Sequence, residues 1–262
     1  MLLFIIPIKS KKVTGSWQYF ERLYHRTLLS IANQTSPNFR IISVCHEKPN
    51  VNFDDSRLEY LFVDFPPPEL IGNKEHDINL KEADKANKII AGAKHAEQYN
   101  PDYIMVVDAD DCISNRITTY VDEHMNETTS GWYFKKGFFY KEGSKFITLN
   151  KNNFNTLCGT CTIIKPELLS GMFTNNPNIH YNHNVVTFEN DKKLIPFPIP
   201  ASIYSMANGE NHYMSTDMIK NLNKTNILSL NFIKSMIRKI KRYRLKLLTK
   251  KIKREFGLYD VK

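Results

Sequence analysis

Apolar runs alternate with segments of helical spacing along the first 108 residues. The apolar runs that predict β-strands span residues 2–8, 40–46, 58–65 and 103–108. Between them, the apolar positions of residues 17–33 recur with helical spacing, and residues 80–99 are rich in strong helix formers. Strands that are apolar throughout and alternate with helices are typical of a parallel sheet covered on both faces. The predicted fold class is therefore α/β, with a mostly parallel central sheet flanked by helices.

The pattern changes beyond residue 130. Residues 131–143 and 145–149 are aromatic and rich in turn residues, which predicts hairpins that extend the sheet. Near the C-terminus, apolar side chains again recur with helical spacing among Lys and Arg. This spacing predicts a basic amphipathic helix whose apolar face contains Ile233, Met236, Ile237, Ile240, Tyr243, Leu247 and Leu248.

Charge divides the chain unevenly. The net charge is +9, but residues 227–262 alone carry +10, which leaves −1 for the other 226 residues. We therefore expect a main domain over residues 1–226 and a basic helical extension over 227–262. An anionic membrane surface is the favoured partner of this extension, and docking on its own domain is the alternative. Nucleic acid is not expected as a partner, since no nucleic-acid-binding fold is recognised around the basic run.

The four cysteines, Cys45, Cys112, Cys158 and Cys161, are too few for a disulfide framework and favour a reducing compartment. The Cys-Gly-Thr-Cys segment permits a redox pair, or a zinc site with His180 and His183. The strand-like residues that follow argue against the redox motif, and the histidine spacing is tighter than usual for zinc. Two buried thiols that pack as small apolar groups are the favoured interpretation.

Three carboxylates, Asp108, Asp110 and Asp111, stand at the end of the predicted strand 103–108 and directly after it. Ligands of an open α/β sheet bind outside the carboxyl ends of its strands, which is where these acids are expected. Acids so close together repel each other unless a cation compensates them, and Mg²⁺ or Mn²⁺ with oxygen ligands is suited to do so. The alternative is that Asp110 and Asp111 cap a following helix.

Several segments resemble the successive signatures of GT-A-type glycosyltransferases, close to the bacterial family-two enzymes and to rhamnosyltransferase-like members. They are LLFIIPIKS, LYHRTLLSIANQTSPNFRIISVCHE and YIMVVDADDCIS, which together cover about residues 1–120, and more loosely IYSMANGENHYMS. The resemblance implies a Rossmann-like GT-A fold with a nucleotide-sugar half over about 1–120 and an acceptor half over about 121–226. It also implies a divalent metal, Mn²⁺ or Mg²⁺.

The resemblance assigns roles to particular residues. Asp108 would contact the ribose or sugar of the donor, while Asp110, supported by Asp111, would bind the metal with His212 as a third ligand. A surface histidine in a glycine-containing turn is the alternative interpretation of His212. Pro7 would lie beside the nucleobase, and His46 or Glu47 would take the place of the acidic residue that the family usually has there.

Two lysines on the predicted helix 80–99 are candidates for the diphosphate. Lys85 and Lys88 would meet it as point charges, and a solvated helix face is the alternative interpretation.

The catalytic base is expected near IHYNHNVV, where the inverting members carry an acidic residue that this chain lacks. His183 or His180 would therefore remove the acceptor's proton, with Glu189 and Asp191 in reserve. Inversion and retention both stay open.

Two functions follow from these expectations. The first is a glycosyltransferase that uses a nucleotide-sugar donor and a glycan or lipid-linked acceptor in bacterial surface polysaccharide or lipopolysaccharide synthesis. It would lie in the cytoplasm, peripherally attached to the inner face of the cytoplasmic membrane. The second is an inactive GT-A-like protein that binds nucleotide or glycan at the membrane surface.

Overall fold

The computed structural model describes residues 1–175, 178–206 and 243–261. The strands are β1 (Leu2–Pro7), β2 (Phe39–Cys45), β3 (Leu58–Phe62), β4 (Tyr103–Val106), β5 (Cys112–Ile113), β6 (Gly131–Tyr133), β7 (Gly137–Lys141), β8 (Phe146–Asn150), β9 (Thr162–Ile164), β10 (Phe173–Asn175), β11 (Ile179–Tyr181), β12 (Ile195–Pro196), β13 (Ser202–Met206) and β14 (Tyr243–Leu247). The helices are α1 (Trp17–Ala32), α2 (Lys74–Ala96), α3 (Ile117–His124) and α4 (Lys250–Glu255).

A seven-stranded sheet forms the centre of the molecule, in the order β12-β6-β9-β4-β1-β2-β3. The strands β3, β2, β1 and β4 run parallel to one another, whereas β9 runs antiparallel to both β4 and β6. The chain passes from β1 to β2 and β3 on one side and returns to β4 on the other, so the strand order reverses between β1 and β4. The predicted α/β class, a Rossmann-like and mostly parallel sheet flanked by helices, is confirmed.

Both faces of this sheet are buried. Leu2, Phe4 and Ile6 of β1 join the core beneath α1, whereas Leu3 and Ile5 join the core beneath α2. Successive side chains of a strand point to opposite faces, so a strand covered on both sides must be apolar at every position. This is why the sequence shows continuous apolar runs rather than alternation.

The helix α2 starts earlier than its spacing predicts. The Asn73 side chain accepts a hydrogen bond from the His76 amide, and Glu75 and Asp77 stand in the first turn, where negative charge is favourable. The expected start at residue 80 is therefore wrong. The helix ends at Ala96, and a short 3₁₀ turn, Glu97–Tyr99, completes the predicted segment.

A second sheet has the order β14-β8-β7-β13-β5. The strands β7 and β8 form the hairpin that the aromatic, turn-rich segment predicts, whereas β6 joins the central sheet instead. The core beside the second sheet contains Tyr140, Ile147, Ile203, Phe256 and Leu258.

The C-terminal segment differs from the predicted continuous helix. Residues 233–240 of the predicted apolar face lie outside the described residues. Tyr243–Leu247 form β14, antiparallel to β8, and within the described residues 243–261 only Lys250–Glu255 are helical. The prediction is wrong for Tyr243–Leu247 because the segment YRLKL alternates apolar and basic residues. This segment therefore fits the period of a strand as well as that of a helix. Its backbone pairs with the edge of β8.

Across residues 1–175, 178–206 and 243–261, none of the helices combines the length and the hydropathy that a membrane-spanning segment requires.

Candidate functional site

An acid and a lysine meet at the carboxyl edge of the central sheet, where the strand order reverses. Val107 continues the pairing with β1 by donating to the Ile5 carbonyl, and the Asp108 amide then donates to the Thr160 hydroxyl at 2.9 Å. The Asp108 carboxylate lies 2.5 Å from the Lys85 ammonium of α2. Both side chains are about a quarter exposed, so solvent and ligands can reach the pair. Ligand sites of open α/β sheets form at this kind of reversal.

Gly159 lies directly against this ion pair. A Cβ atom at this position would stand 2.7 Å from Asp108 Oδ2 and 3.1 Å from Lys85 Nζ. The Cys-Gly-Thr-Cys turn therefore packs against the ion pair through Gly159, while the thiols of Cys158 and Cys161 are buried. Sequence reasoning treated this segment as a question of cysteine chemistry and missed the glycine and Thr160.

The electrostatics keep Lys85 charged. Burial would lower the pKa of this lysine, but the carboxylates of Asp108 and Glu82 outweigh it and raise the pKa above its usual value. Glu82 also lies 3.7 Å from His180 Nδ1 on β11. Sequence reasoning missed Glu82, although its position three residues before Lys85 on a helix would have placed it on the same face.

The three acids have different surroundings. Asp108 and Asp110 are partly exposed, whereas Asp111 is fully buried. The Asp111 carboxylate accepts the Ser205 amide at 3.1 Å and the Cys158 thiol at 3.4 Å. Burial, followed by the charges of Asp110 and Asp108, raises its pKa well above the ordinary value.

The prediction that Asp111 binds the metal therefore conflicts with its placement. Its oxygens are engaged by interior donors, so it ties the loop after β4 to β13 and to the Cys158 turn. Neither Asp110 nor Asp111 caps a helix, because β5 follows them directly.

The two partly exposed acids are of the chemical type that a hard divalent cation prefers. Mg²⁺ and Mn²⁺ prefer oxygen ligands, and Mg²⁺ commonly takes only one or two carboxylates and completes its shell with water and phosphate oxygens. Asp110, the predicted metal ligand, stands two residues after Asp108 and is partly exposed. Within the described residues, no three His, Cys, Asp or Glu side chains gather as a metal site, which argues against zinc at Cys158, Cys161, His180 and His183. His212 lies outside the described residues.

His183 lies two residues after the end of β11. Its Nδ1 donates to the Asn155 carbonyl at 2.7 Å, so Nε2 carries the lone pair of the neutral ring. Burial lowers the pKa of His183, partly opposed by the bond to Asn155, and the charges of Lys85 and Asp108 also act on the ring. His183 is therefore neutral near pH 7 and able to accept a proton.

Glu189 and Asp191 lie in the 3₁₀ turn Glu189–Asp191, and both are exposed. Within the described part of the chain, neither side chain forms a hydrogen bond or ion pair. The structure does not bring them into contact with Asp108.

A second polar cluster ties α2 to the ends of β1 and β2. Asp84 bridges His46 at 2.8 Å and Lys88 at 2.6 Å, and Lys88 also donates to the carbonyl of Ile8, the residue after Pro7, at 2.7 Å. Lys88 is 1% exposed, so its ammonium binds groups of the protein interior, which conflicts with the predicted contact to the diphosphate.

Glu47 has a local role. It accepts hydrogen bonds from the Ser10 hydroxyl and the Lys11 amide, and so fixes the turn after β1. The structure thus brings Asp108, Lys85 and His183 together with the pair of His180 and Glu82. Lys88 and Asp111 are buried in the interior, and Glu189 is exposed on a 3₁₀ turn.

No family model matches the chain, and no curated protein matches it. Three solved structures with which it shares a partial likeness are S. aureus TarS, TarS 1-349 in complex with UDP, and Francisella tularensis 2-C-methyl-D-erythritol 4-phosphate cytidylyltransferase (IspD). TarS is 13% identical with a TM-score of 0.39, over 79% of this chain and 37% of TarS. The UDP complex of TarS 1-349 is 13% identical with a TM-score of 0.35, and the match covers 79% of this chain and 60% of that chain. IspD is 13% identical with a TM-score of 0.40, and the match covers 85% of this chain and 98% of the IspD chain. This chain thus spans well under half of TarS, and its function has to be argued from its own residues.

Proposed function

We propose that this chain is a metal-dependent glycosyltransferase that moves a sugar from a nucleotide-sugar donor to a glycan or lipid-linked acceptor. The observation that carries the proposal is the Asp108–Lys85 pair at the reversal of strand order, whose charges also act on the neutral ring of His183. A carboxylate there can accept a sugar or ribose hydroxyl, while an ammonium there can meet a diphosphate.

In this proposal Asp108 has two tasks, whereas Lys85, Asp110 and Glu82 have one each. Asp108 orients the donor by accepting its hydroxyl groups, and Lys85 neutralises the diphosphate as a point charge. Asp108 and Asp110 would hold Mn²⁺ or Mg²⁺, which supplies charge stabilisation to a departing nucleoside diphosphate when bound. Glu82 stands beside Lys85 on α2 and helps to keep it protonated.

His183 is the proposed base. Its Nε2 can take the proton of an acceptor hydroxyl as that oxygen attacks the anomeric carbon. His180, held by Glu82 at 3.7 Å, is the second candidate for this proton transfer. The proposed process is synthesis of a bacterial surface polysaccharide or lipopolysaccharide at the inner face of the cytoplasmic membrane.

The first experiment measures the thermal midpoint with UDP, GDP, CMP and dTDP, each with and without Mn²⁺. A ligand that binds only the folded state stabilises that state by about 2.7 kcal/mol when its concentration is about 100 times its Kd. We expect one nucleotide to raise the midpoint only when Mn²⁺ is present, and Asp110→Asn to abolish that rise.

A glycine pair supplies a matched control. Gly159→Ala would push Asp108 and Lys85 apart, and we expect a loss of nucleotide affinity of about tenfold. Gly15→Ala meets no atom within 4 Å and should bind normally. Equal affinities in the two variants, or no nucleotide that stabilises the protein, would contradict the proposed site.

A binding protein without transfer activity is the second candidate, favoured by the missing acidic pair at residues 179–186. Hydrolysis of the donor sugar by the wild type separates the two. Turnover that is lost in His183→Gln supports the transferase, whereas tight nucleotide binding without turnover supports the binding protein.

A further inference from the structure

Three polar side chains interrupt the buried face of α1. Most of the side chains that this helix buries are apolar or aromatic, but Arg26, Thr27 and Ser30 are buried as well, each with 0% of its surface exposed. The three lie within about one helical turn, so they share one side of the helix. Arginine is almost never fully buried unless it is paired, and a buried hydroxyl needs a hydrogen-bond partner. This side of α1 therefore faces polar groups of the protein interior.

Thr27 and Ser30 bind the backbone of the acidic loop, residues 107–111, and of the strand β5 that follows it. The Thr27 hydroxyl lies 2.8 Å from the Asp111 carbonyl and 3.3 Å from the Leu23 carbonyl of its own helix. Because a hydroxyl has one proton, the shorter contact is the hydrogen bond, and it replaces the usual bond of a helical threonine to the preceding turn. The Ser30 hydroxyl donates to the Ile113 carbonyl at 3.1 Å and accepts the Ile113 amide at 2.8 Å.

Arg26 supports the same loop from a second direction. Its guanidinium pairs with Glu142 at 2.6 Å, donates to the Ser205 hydroxyl at 3.0 Å and lies 3.5 Å from the Asp110 carbonyl. Ser205 in turn donates its amide to the Asp111 carboxylate at 3.1 Å. The acidic loop is therefore held from the inside by α1 and by β13.

The acidic loop needs such support because its carboxylates repel each other. Asp108, Asp110 and Asp111 stand within four residues of the chain. A loop that is free to relax would move its carboxylates apart. A ligand would then have to bring them back into place, and the free energy of this reorganisation would be lost from its binding.

We propose that Thr27 is a positioning residue of the donor site. It acts by fixing the Asp111 carbonyl, so that Asp108 and Asp110 keep their spacing before a ligand binds. This inference rests on the proposed function and adds to it a residue that lies 84 positions before its partner in the chain. The sequence alone gives no indication of this role, because a threonine within a helix usually bonds to the helix itself.

The test compares two valine variants, each of which removes one buried threonine hydroxyl. Thr27→Val removes the bond to the Asp111 carbonyl. Thr118→Val, the matched control on α3, removes an equally buried hydroxyl that donates to the Ser36 carbonyl at 3.2 Å. Ser36 lies just before β2, at the amino edge of the central sheet and so opposite the Asp108 site.

The first measurement is a titration with Mn²⁺ and whichever of UDP, GDP, CMP and dTDP stabilises the wild type. We expect the nucleotide affinity to fall about tenfold in Thr27→Val and to stay within about twofold of the wild-type value in Thr118→Val. Thr27→Ser keeps the hydroxyl and should restore the affinity. Because both valine variants lose a buried hydrogen bond, a lowered stability alone would affect them alike.

The second measurement follows the acidic loop without any ligand. Amide hydrogen exchange reports local opening of the backbone. In the ligand-free protein, peptides that cover residues 108–113 should exchange faster in Thr27→Val than in the wild type, in Thr27→Ser or in Thr118→Val.

Equal loop exchange in the two valine variants would overturn the proposal, and so would an equal nucleotide affinity. A loss of affinity that persists in Thr27→Ser would also overturn it, since the hydroxyl would then not be the cause. If none of the four nucleotides binds the wild type, the proposed function fails. The exchange of residues 108–113 still decides in that case whether Thr27 holds the loop, so the two failures are distinguished.

Discussion

Lys85 and Lys88 lie about one helical turn apart on α2, but their ammonium groups meet different surroundings. Lys88 is enclosed, with Asp84 at 2.6 Å and the Ile8 carbonyl at 2.7 Å. Lys85 is 24% exposed and faces Asp108. The sequence predicted both as diphosphate ligands, because helical spacing puts them near one face. Spacing alone does not tell which of the two reaches solvent, since the Ile8 carbonyl comes from a distant part of the chain.

We predict that the same substitution at the two lysines separates stability from binding. Lys88→Met leaves Asp84 without its ammonium and the Ile8 carbonyl without a donor, which should lower the free energy of unfolding by about 2–4 kcal/mol. The free energy of unfolding of Lys85→Met should stay within about 1 kcal/mol of the wild-type value. The Asp108 carboxylate loses its partner in this variant but remains hydrated. The nucleotide affinity of Lys85→Met should nevertheless fall. Denaturant unfolding and nucleotide titration of both variants measure these effects, and a reversed order would exclude this division of roles.

At the scale of elements, the packing of α2 on the central sheet depends on a close approach at Gly92. A Cβ atom there would lie 2.9 Å from Ile5 Cγ2 and 2.9 Å from Val44 Cγ2. The apolar runs predicted the strands β1 and β2 and most of α2. The distance between helix and sheet could not be predicted, because an isolated glycine within a helical pattern gives no indication of what it faces.

We predict that Gly92→Ala destabilises the protein although alanine is the better helix former. The gain in helix propensity is about 1 kcal/mol, whereas overpacking a tight contact costs about 1–3 kcal/mol. The free energy of unfolding should therefore fall by up to about 2 kcal/mol, as measured by denaturant unfolding. Ile90→Ala, on the exposed side of the same helix, is the control and should change it by less than about 0.5 kcal/mol. A more stable Gly92→Ala variant would mean that the helix can move away from the sheet at little cost.

At the scale of the whole molecule, the basic C-terminal segment is joined to the main domain through buried contacts. Phe256 and Leu258 are buried in the core of the second sheet. The Tyr259 carbonyl accepts a hydrogen bond from Arg26 of α1 at 3.0 Å, and the Arg254 carbonyl accepts one from Asn33 at 3.0 Å. The concentration of positive charge suggested a boundary after residue 226, but charge cannot show where the few apolar residues of such a segment pack. The strand β14 escaped prediction for a related reason, since YRLKL fits two periods.

The boundary after residue 226 stays a prediction that a shortened chain can test. If residues 227–262 were separable, a chain ending at residue 226 would keep the thermal midpoint and the nucleotide-dependent shift of the full chain. We expect instead a broad unfolding transition at a much lower temperature, because the shortened chain exposes Tyr140 and Ile203 and removes the Tyr259 carbonyl, one of the hydrogen-bond acceptors of Arg26. Phe256→Ala in the full chain should lower the free energy of unfolding by about 3–5 kcal/mol, as expected for a buried phenylalanine. Lys251→Ala, exposed on α4, should leave it within about 0.5 kcal/mol. A retained midpoint in Lys251→Ala and a lowered one in Phe256→Ala would show that one segment both closes the second core and presents basic side chains to solvent.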